Sequence, residues 1–485
     1  MRRSKIILSV AISFICGIAL ANLISIPIFA IYCFIILNIA IISLFWHNRF
    51  LRITAICLCC FLFGIFRFEL CNNAVKKIID NDFQNKSSFT GIIVDEPSLK
   101  NSYQNLIVES SDISGKILVS ASLYPLYNYG DKLKIDCKLK STTQDDKWKK
   151  YFIKEKIYYS CYYPQIQVIS KNNRGKFYAQ LLKFKQKSRR IIKKNVSGQE
   201  SQILSAMLLG YKKNIPTGLR DKFSQAGISH IIAISGAHIA IIIFIVMSLL
   251  INFGLWRKQS FYLTIILIWI FIILIGAPSS AARAGIMATI IMIGVNIGRI
   301  NSAINILTLA AALMLLINPF LLFNDIGFQL SFLAVFGIIY LSPIFNLWLK
   351  KFSEFNGIKK ILIITLSAQI ATLPLSIYYF GKLPILSPLI NLIIVPLLAI
   401  ILFLGFAIIL FGFIYLPVAK IIGIIEWLIL NLLIKITYFF TSLPFSYLTI
   451  EKINFAWILI SYIIIISGFI FINKKQKAET IFSDF

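Results

Sequence analysis

Two of the chain's three histidines, His230 and His238, bracket Ser235 and Gly236 inside one of its most apolar stretches. Imidazole and hydroxyl groups at such spacing offer three chemistries: protonated rings donating to an anion such as phosphate, neutral rings hydrogen-bonding Ser235 or backbone at a helix break, or a serine nucleophile with a histidine base. Desolvating such groups in a bilayer costs on the order of several kcal/mol each unless something compensates, so the pattern points to a lined cavity or pathway. A nucleophilic serine also needs a base oriented by a third group, and no residue here is marked for that role. An intramembrane hydrolase is therefore the weakest of the readings, and the chain is read as a non-enzyme. His47, His230 and His238 are the whole histidine supply, which leaves no His-rich metal cluster, so no metal or cofactor is expected.

Three further segments break the hydrophobic pattern with residues that need partners. Gly276-Ala277-Pro278-Ser279-Ser280 precedes Arg283, set among small residues that permit close helix packing. Asp325-Ile326-Gly327-Phe328-Gln329-Leu330-Ser331 forms the next block, and Gln369 with Thr372-Leu373-Pro374 forms the last, followed by Phe380-Gly381 and the stretch from Asn391 to Pro396. If 230 to 253 is one continuous helix, Ser235 and His238 share a face and His230 lies about two turns earlier on nearly the same side. Arg283 reads equally as a phosphate contact and as a permanent partner of Asp325. Lys420, Glu426 and Lys435 have no intrahelical pairing by spacing and stay unassigned.

The elements that must position these residues are helices in a membrane. With 58% hydrophobic residues and a mean hydropathy of +0.80, the chain excludes a soluble enzyme. Apolar runs predict spans near 6 to 24, 28 to 46, 51 to 69, 230 to 253, 259 to 277, 281 to 298, 303 to 318, 327 to 347, 360 to 379, 385 to 412, 417 to 443 and 455 to 473. The start, Arg2-Arg3-Ser4-Lys5 before an apolar run and Ala19-Leu20-Ala21, imitates a cleavable signal, but a second span after Pro27 favours a retained helical hairpin. The basic start, the His47 to Arg52 segment and the Lys474 to Lys477 tail place both termini in the cytoplasm, with 476 to 485 as a tail. Cys16, Cys33, Cys57, Cys59 and Cys60 lie in apolar spans and read as small core residues.

Between Cys71 and Gln199 the apolar runs stop, leaving a basic region with 24 Lys and Arg against 11 Asp and Glu, within a chain of net charge +29. Alternating runs at 89 to 94, 105 to 108, 116 to 121 and 132 to 137 predict a small β-barrel over 71 to 172, resembling an oligonucleotide/oligosaccharide-binding (OB) fold and outside the membrane. Cys137 and Cys161 fall on its strand-like segments, where an oxidising exterior would allow a disulfide. Tyr124, Tyr127, Tyr129, Trp148, Tyr151, Tyr158, Tyr159, Tyr162 and Tyr163 are candidate stacking platforms for a single strand. Over 173 to 200, Phe177, Leu181, Phe184 and Ile191 alternate at helical spacing with a basic stripe that includes Lys183, Lys187, Arg190 and Lys194. This suits a helix lying on membrane lipids, whose phosphates present the same charge as a nucleic-acid strand. The fold class is thus a polytopic α-helical membrane protein with an inserted OB-like domain.

The four polar segments, in this order, resemble the ComEC/Rec2 family of competence proteins. The resemblance rests on His230 with Ala233, Ile234, Ser235, Gly236 and His238; on Ser279, Ser280, Arg283 and Ala284; on Asp325 to Ser331; and on Thr372-Leu373-Pro374 with Asn391 and Pro396. It extends from the N-terminus to about residue 475, with 201 to 475 as the channel domain. It implies a bacterial inner-membrane channel that takes up single-stranded DNA during natural transformation, with a pathway lined by His230, Ser235, His238, Arg283, Asp325, Gln329 and Gln369. A DNA receptor, a cytoplasmic ATPase and a separate nuclease are the implied partners. The separate nuclease is expected because longer members end in a metallo-β-lactamase-like domain, whereas this sequence stops soon after its last span. A small-solute permease and a degenerate channel remnant are the alternatives; the basic domain counts against the permease, because a small solute needs no long phosphate-guiding surface.

Overall fold

The computed structural model describes the whole chain except residues 1–2, 45–46, 81–87, 101, 143–145, 172–173, 299–301, 351–356, 451–453 and 484–485. It divides into two units, Met1–Phe184 with Thr308–Ile326, and Lys185–Leu307 with Gly327–Phe485. Among the described residues eight helices are long and apolar enough to cross a membrane, and Gly236–Asn252, Ala303–Ile317 and Ala456–Ile472 are apolar but shorter. The chain is a multi-pass helical membrane protein carrying a mixed β-sheet domain.

The first unit opens with helices α1 (Arg3–Leu23), α2 (Ile28–Leu44) and α3 (Arg49–Asp80). Gly17 and Gly64 let α1 and α3 cross backbone to backbone: a Cβ on Gly17 would strike the Phe61 carbonyl, and one on Gly64 the Phe14 carbonyl. Glu69, 2% exposed on α3, accepts the Ile26 N–H at 3.2 Å and holds the α1–α2 connection. Strands β1 (Ser88–Ile93), β2 (Ser98–Leu99), β3 (Tyr103–Ser110), β4 (Lys116–Ser122), β5 (Lys132–Asp136) and β6 (Lys140–Ser141) follow; helix α4 (Asp146–Glu155) leads to β7 (Ile157–Tyr162) and β8 (Gln165–Ser170). The four runs read from the sequence are β1, β3, β4 and β5.

These strands do not close into the expected barrel. The sheet runs β6-β7-β4-β3-β1-β5-β8, with β2 attached to β3, and ends on two edges. It nevertheless curls. Cys137, just past β5, is disulfide-bonded to Cys161 on β7 with Cα atoms 6.3 Å apart, although three strands separate β5 from β7 along the sheet. The chain itself passes from the end of β5 at Asp136 to β6, which pairs with β7, so the seam is bridged by chain and disulfide in place of a ladder. Closure fails there because β6 has only two residues and its neighbour β7 already pairs with β4 on its other side.

The segment 308–326 of the first unit, comprising the end of α12 (Ala303–Ile317) and α13 (Leu321–Asn324), docks on α3 and α4. Arg67 donates to the Leu316 carbonyl at 3.0 Å and the Ile317 carbonyl at 3.2 Å, capping α12, and Phe68 meets Phe320 edge-on. Asn318 donates to the Lys154 carbonyl at 3.1 Å, and the Lys154 ammonium lies 3.3 Å from Asp325 and 2.9 Å from Glu155. Burial alone would lower the Lys154 pKa, but Glu155 and Asp325 outweigh it and hold the ammonium above its ordinary value. Asp325, expected to line the pathway, is here bonded to a half-buried lysine of α4.

Asp325→Asn should loosen α4 against the 318–325 segment, costing about 1 to 3 kcal/mol and raising hydrogen exchange in both segments while β3 and β4 stay protected. The lysine's contribution is present at neutral pH and is lost as pH climbs through its raised value, so the wild type should outlast Asp325→Asn in neutral buffer and converge with it in strong alkali.

Candidate functional site

The second unit gathers the other polar segments. Its helices are α6 (Gly198–Leu209), α7 (Thr217–Gln225), α8 (Ser229–Ile232), α9 (Gly236–Asn252), α10 (Arg257–Leu274), α11 (Ser279–Asn296), α14 (Ile326–Trp348, from Gly327), α15 (Ile358–Phe380), α16 (Ser387–Ile414), α17 (Leu416–Ser442) and α18 (Phe455–Ser483). Helix α5 (Lys176–Asn195) contributes its second half, and β9 (Lys382–Pro384) pairs with β10 (Tyr447–Thr449).

The expected helix from 230 is broken. Ala233 is extended (φ −83°, ψ 124°), so His230 belongs to α8 and His238 to α9, and a shared helical face does not relate them. Two devices hold the break. Ser235 and His238 form a capping box at the start of α9: the Ser235 N–H donates to His238 Nδ1 at 3.2 Å, and Ser235 Oγ lies 2.9 Å from the same nitrogen. Ser280, in the first turn of α11, donates to the Ile234 carbonyl at 2.7 Å and so satisfies the unwound backbone from a second helix. That second helix starts from a break of its own, where Gly276 and Ala277 both have positive φ ahead of Pro278.

The Ser235–His238 contact resembles the start of a nucleophilic dyad. Yet the nitrogen that would act as base already accepts a backbone N–H, and no carboxylate bonds the ring among the described residues. This is helix-cap geometry. His238 is fully buried, with Nε2 outside hydrogen-bond geometry to any described group although the Ile231 carbonyl lies close to the ring. His230 differs. Its ring is exposed, with the Gly227 carbonyl close by.

Arg283 projects from the first turns of α11 to the same place. It is 6% exposed; its Nη1 donates to the Ser331 carbonyl on α14 at 2.7 Å, and its guanidinium lies 5.6 Å from the Phe332 ring centroid. Its Nη2 faces the start of α9, 3.5 Å from where a side chain on Gly236 would begin, and its Nε has no partner. No carboxylate pairs with Arg283 among the described residues. Arg283 is thus held by a backbone carbonyl and a ring.

The remaining predicted residues divide. Gln329 accepts a hydrogen bond from Tyr379 at 3.3 Å, Gln369 donates to the Pro384 carbonyl at 3.0 Å, and Asn391 donates to Ser387 at 3.3 Å. Gly227 links the first segment to the last: its φ is +72°, and a Cβ there would press on Ser387 and Pro384. Sequence reasoning missed Tyr379, whose only signal was its place just before Phe380-Gly381. Lys183, Lys187, Arg190 and Lys194 stay exposed on α5, with Lys187 4.7 Å from the Phe413 ring centroid. Of the apolar residues expected to face lipid, Phe177 and Phe184 are exposed, whereas Ile191 packs on Gly412 of α16.

Broken, mutually stitched helices around a buried cation define a polytopic membrane protein with a polar centre. The competence protein family matches residues 207–475, more than half of the chain, and the chain belongs to that family. It is also 24% identical over 413 residues to ComE operon protein 3 of Bacillus subtilis (strain 168), a match covering 82% of this chain and 50% of that protein. The chain therefore spans about half the length of this curated relative. No solved structure matches the chain.

Gly227→Val should destabilise the second unit by about 2 kcal/mol or more, because strain at positive φ adds to overpacking. Ser280→Ala should cost about 1 kcal/mol, the usual worth of one hydrogen bond. Thermal unfolding of both variants in lipid nanodiscs, with Ser279→Ala as the near-neutral control, checks the order.

Proposed function

We propose that the chain forms a channel for single-stranded DNA across the bacterial inner membrane during natural transformation. It does so without catalysis, with both termini in the cytoplasm and a DNA receptor and a cytoplasmic ATPase as partners. The observation that carries this reading is Arg283. A cation in a bilayer centre costs about 2.5 to 3.5 kcal/mol on insertion scales, and here no carboxylate among the described residues offsets it. A carbonyl and an aromatic face hold the guanidinium in place without neutralising it, which leaves its charge to act on a passing phosphate. His230, exposed on the short helix α8 before the break at Ala233, extends the same polar lining.

The sheet domain supports a strand as the cargo. Its first strand pairs with both the second and fourth long strands, and its third runs parallel to β7, as in an OB-like fold left open at one seam. Of the tyrosines considered as platforms, Tyr127, Tyr158 and Tyr159 are buried, whereas Tyr124, Tyr162 and Tyr163 are exposed at one end of β4 and β7. Gln104, fully buried, donates to the Ser122, Leu123 and Pro125 carbonyls and accepts the Tyr127 N–H, so the loop bearing Tyr124 is fixed in place. A permease would have no use for aromatics presented in this way beside a basic surface.

In a competent host lacking its own channel, the wild-type chain should restore transformation. Arg283→Ala should insert normally but lower transformation by tenfold or more, and Arg283→Lys should restore part of it. Full transformation by Arg283→Ala at wild-type protein levels would exclude the assigned pathway.

A further inference from the structure

The loop between α6 and α7 carries a cationic cluster that the exposed stripe on α5 conceals in the sequence. Between Lys176 and Thr217 there are ten Lys and Arg and a single acid, Glu200, which accepts a hydrogen bond from Asn431 at 3.2 Å. The stripe of Lys183, Lys187, Arg190 and Lys194 faces outward. On the opposite face of α5, one turn apart, Lys185 and Arg189 turn inward with Leu182, Ser188 and Ile192. Both reach Tyr211: Lys185 Nζ lies 4.7 Å and Arg189 Cζ 4.3 Å from its ring centroid. Lys185 is 7% exposed, so its charge is carried into the protein.

The loop that presents Tyr211 lies against the polar breaks. Gly210 packs on the backbone and side chain of Ile275, at the end of α10 just before the Gly276–Pro278 break. Lys212, which starts a 3-10 turn with Lys213 and Asn214, lies within electrostatic reach of His238. Lys213 is exposed. One short segment thus carries an aromatic ring and two lysines close to the Gly276–Pro278 break, and α5 sets two further cations against that ring.

A single cation over one ring would suffice to pin a loop. Two cations on one tyrosine, with two lysines following it in sequence, concentrate positive charge close to the Gly276–Pro278 break. Ring and cations together are the two elements that hold a single strand without reading its sequence: a stacking face and phosphate contacts.

We propose that Lys185, Arg189, Tyr211, Lys212 and Lys213 form a contact site for a single-stranded polyanion at the edge of the polar centre, holding phosphates of the strand. The outward stripe on α5 is not part of it. This rests on the reading of the chain as a strand channel, and it names residues that reading does not require.

The test uses the full chain in nanodiscs of zwitterionic lipid and a fluorescent oligothymidylate, with affinity measured across a salt series. The site predicts that Lys212→Gln/Lys213→Gln weakens binding and lowers the slope of log affinity against log salt by about 1 to 2, one for each phosphate no longer neutralised. Tyr211→Phe should bind like wild type, since the ring remains, and Tyr211→Leu should lose about tenfold in affinity. Neutralising Lys187, Arg190 and Lys194 should leave the slope unchanged. If the Lys212/Lys213 variant keeps the wild-type affinity and slope, this site is overturned while the channel reading stands. If the slope falls only when the outward stripe is neutralised, the strand lies on the other face of α5 and the inference fails. No binding by the wild-type chain would overturn both. Circular dichroism and the melting temperature of each variant separate loss of the site from loss of the fold.

Discussion

A helix broken inside an apolar matrix must find every freed backbone hydrogen bond within the protein, and the second unit is organised around that requirement. The break at Ala233–Ile234 is satisfied by Ser280, at the start of the helix that follows the next break, and closed by the Ser235–His238 box. Each break thereby depends on the other. Because Ser280 fixes the first turn of α11 against Ile234, Arg283 on the next turn is delivered to the start of α9, and its reach to Ser331 ties α14 to the same point.

Buried charge is handled in contrasting ways across the molecule. Lys154 and Asp325 pair, and their neighbours Arg67 and Asn318 use helix-terminal and loop carbonyls, so this set is fully occupied in holding the 308–326 segment against α3 and α4. Arg283 is held in position without being neutralised. Pairing removes a charge from further use, whereas a carbonyl and a ring leave most of it available. Glu426 on α17 is fully buried with neither carboxylate oxygen hydrogen-bonded, and the proposed pathway makes no use of it.

The sheet domain shows how a modest curl can replace closure. A ladder between β6 and β8 would need longer edges than β6 supplies, and the Cys137–Cys161 link bridges the flanks that pairing leaves apart. The curl exposes Tyr124, Tyr162 and Tyr163 together at one end while Tyr127, Tyr158 and Tyr159 turn inward. Alternation along the strands accounts for part of this division; the rest comes from the Gln104 network, whose partners lie up to 23 residues away in sequence.

The sequence by itself determined the membrane class, four of the eight described strands of the basic domain and the four polar interruptions, because hydropathy and strand alternation are local properties of neighbouring residues. Tertiary structure decided what those interruptions do. Nothing local to Asp325 marks Lys154 as its partner, and nothing local to Arg283 shows that it has a carbonyl where a carboxylate would have silenced it. The same holds for α5: helical periodicity identified the outward stripe, but only packing on Tyr211 revealed that Lys185 and Arg189 point inward. Charge pairing and helix docking are set by residues distant in the chain. A sequence therefore shows which groups will need partners, and the fold alone shows which partners they receive.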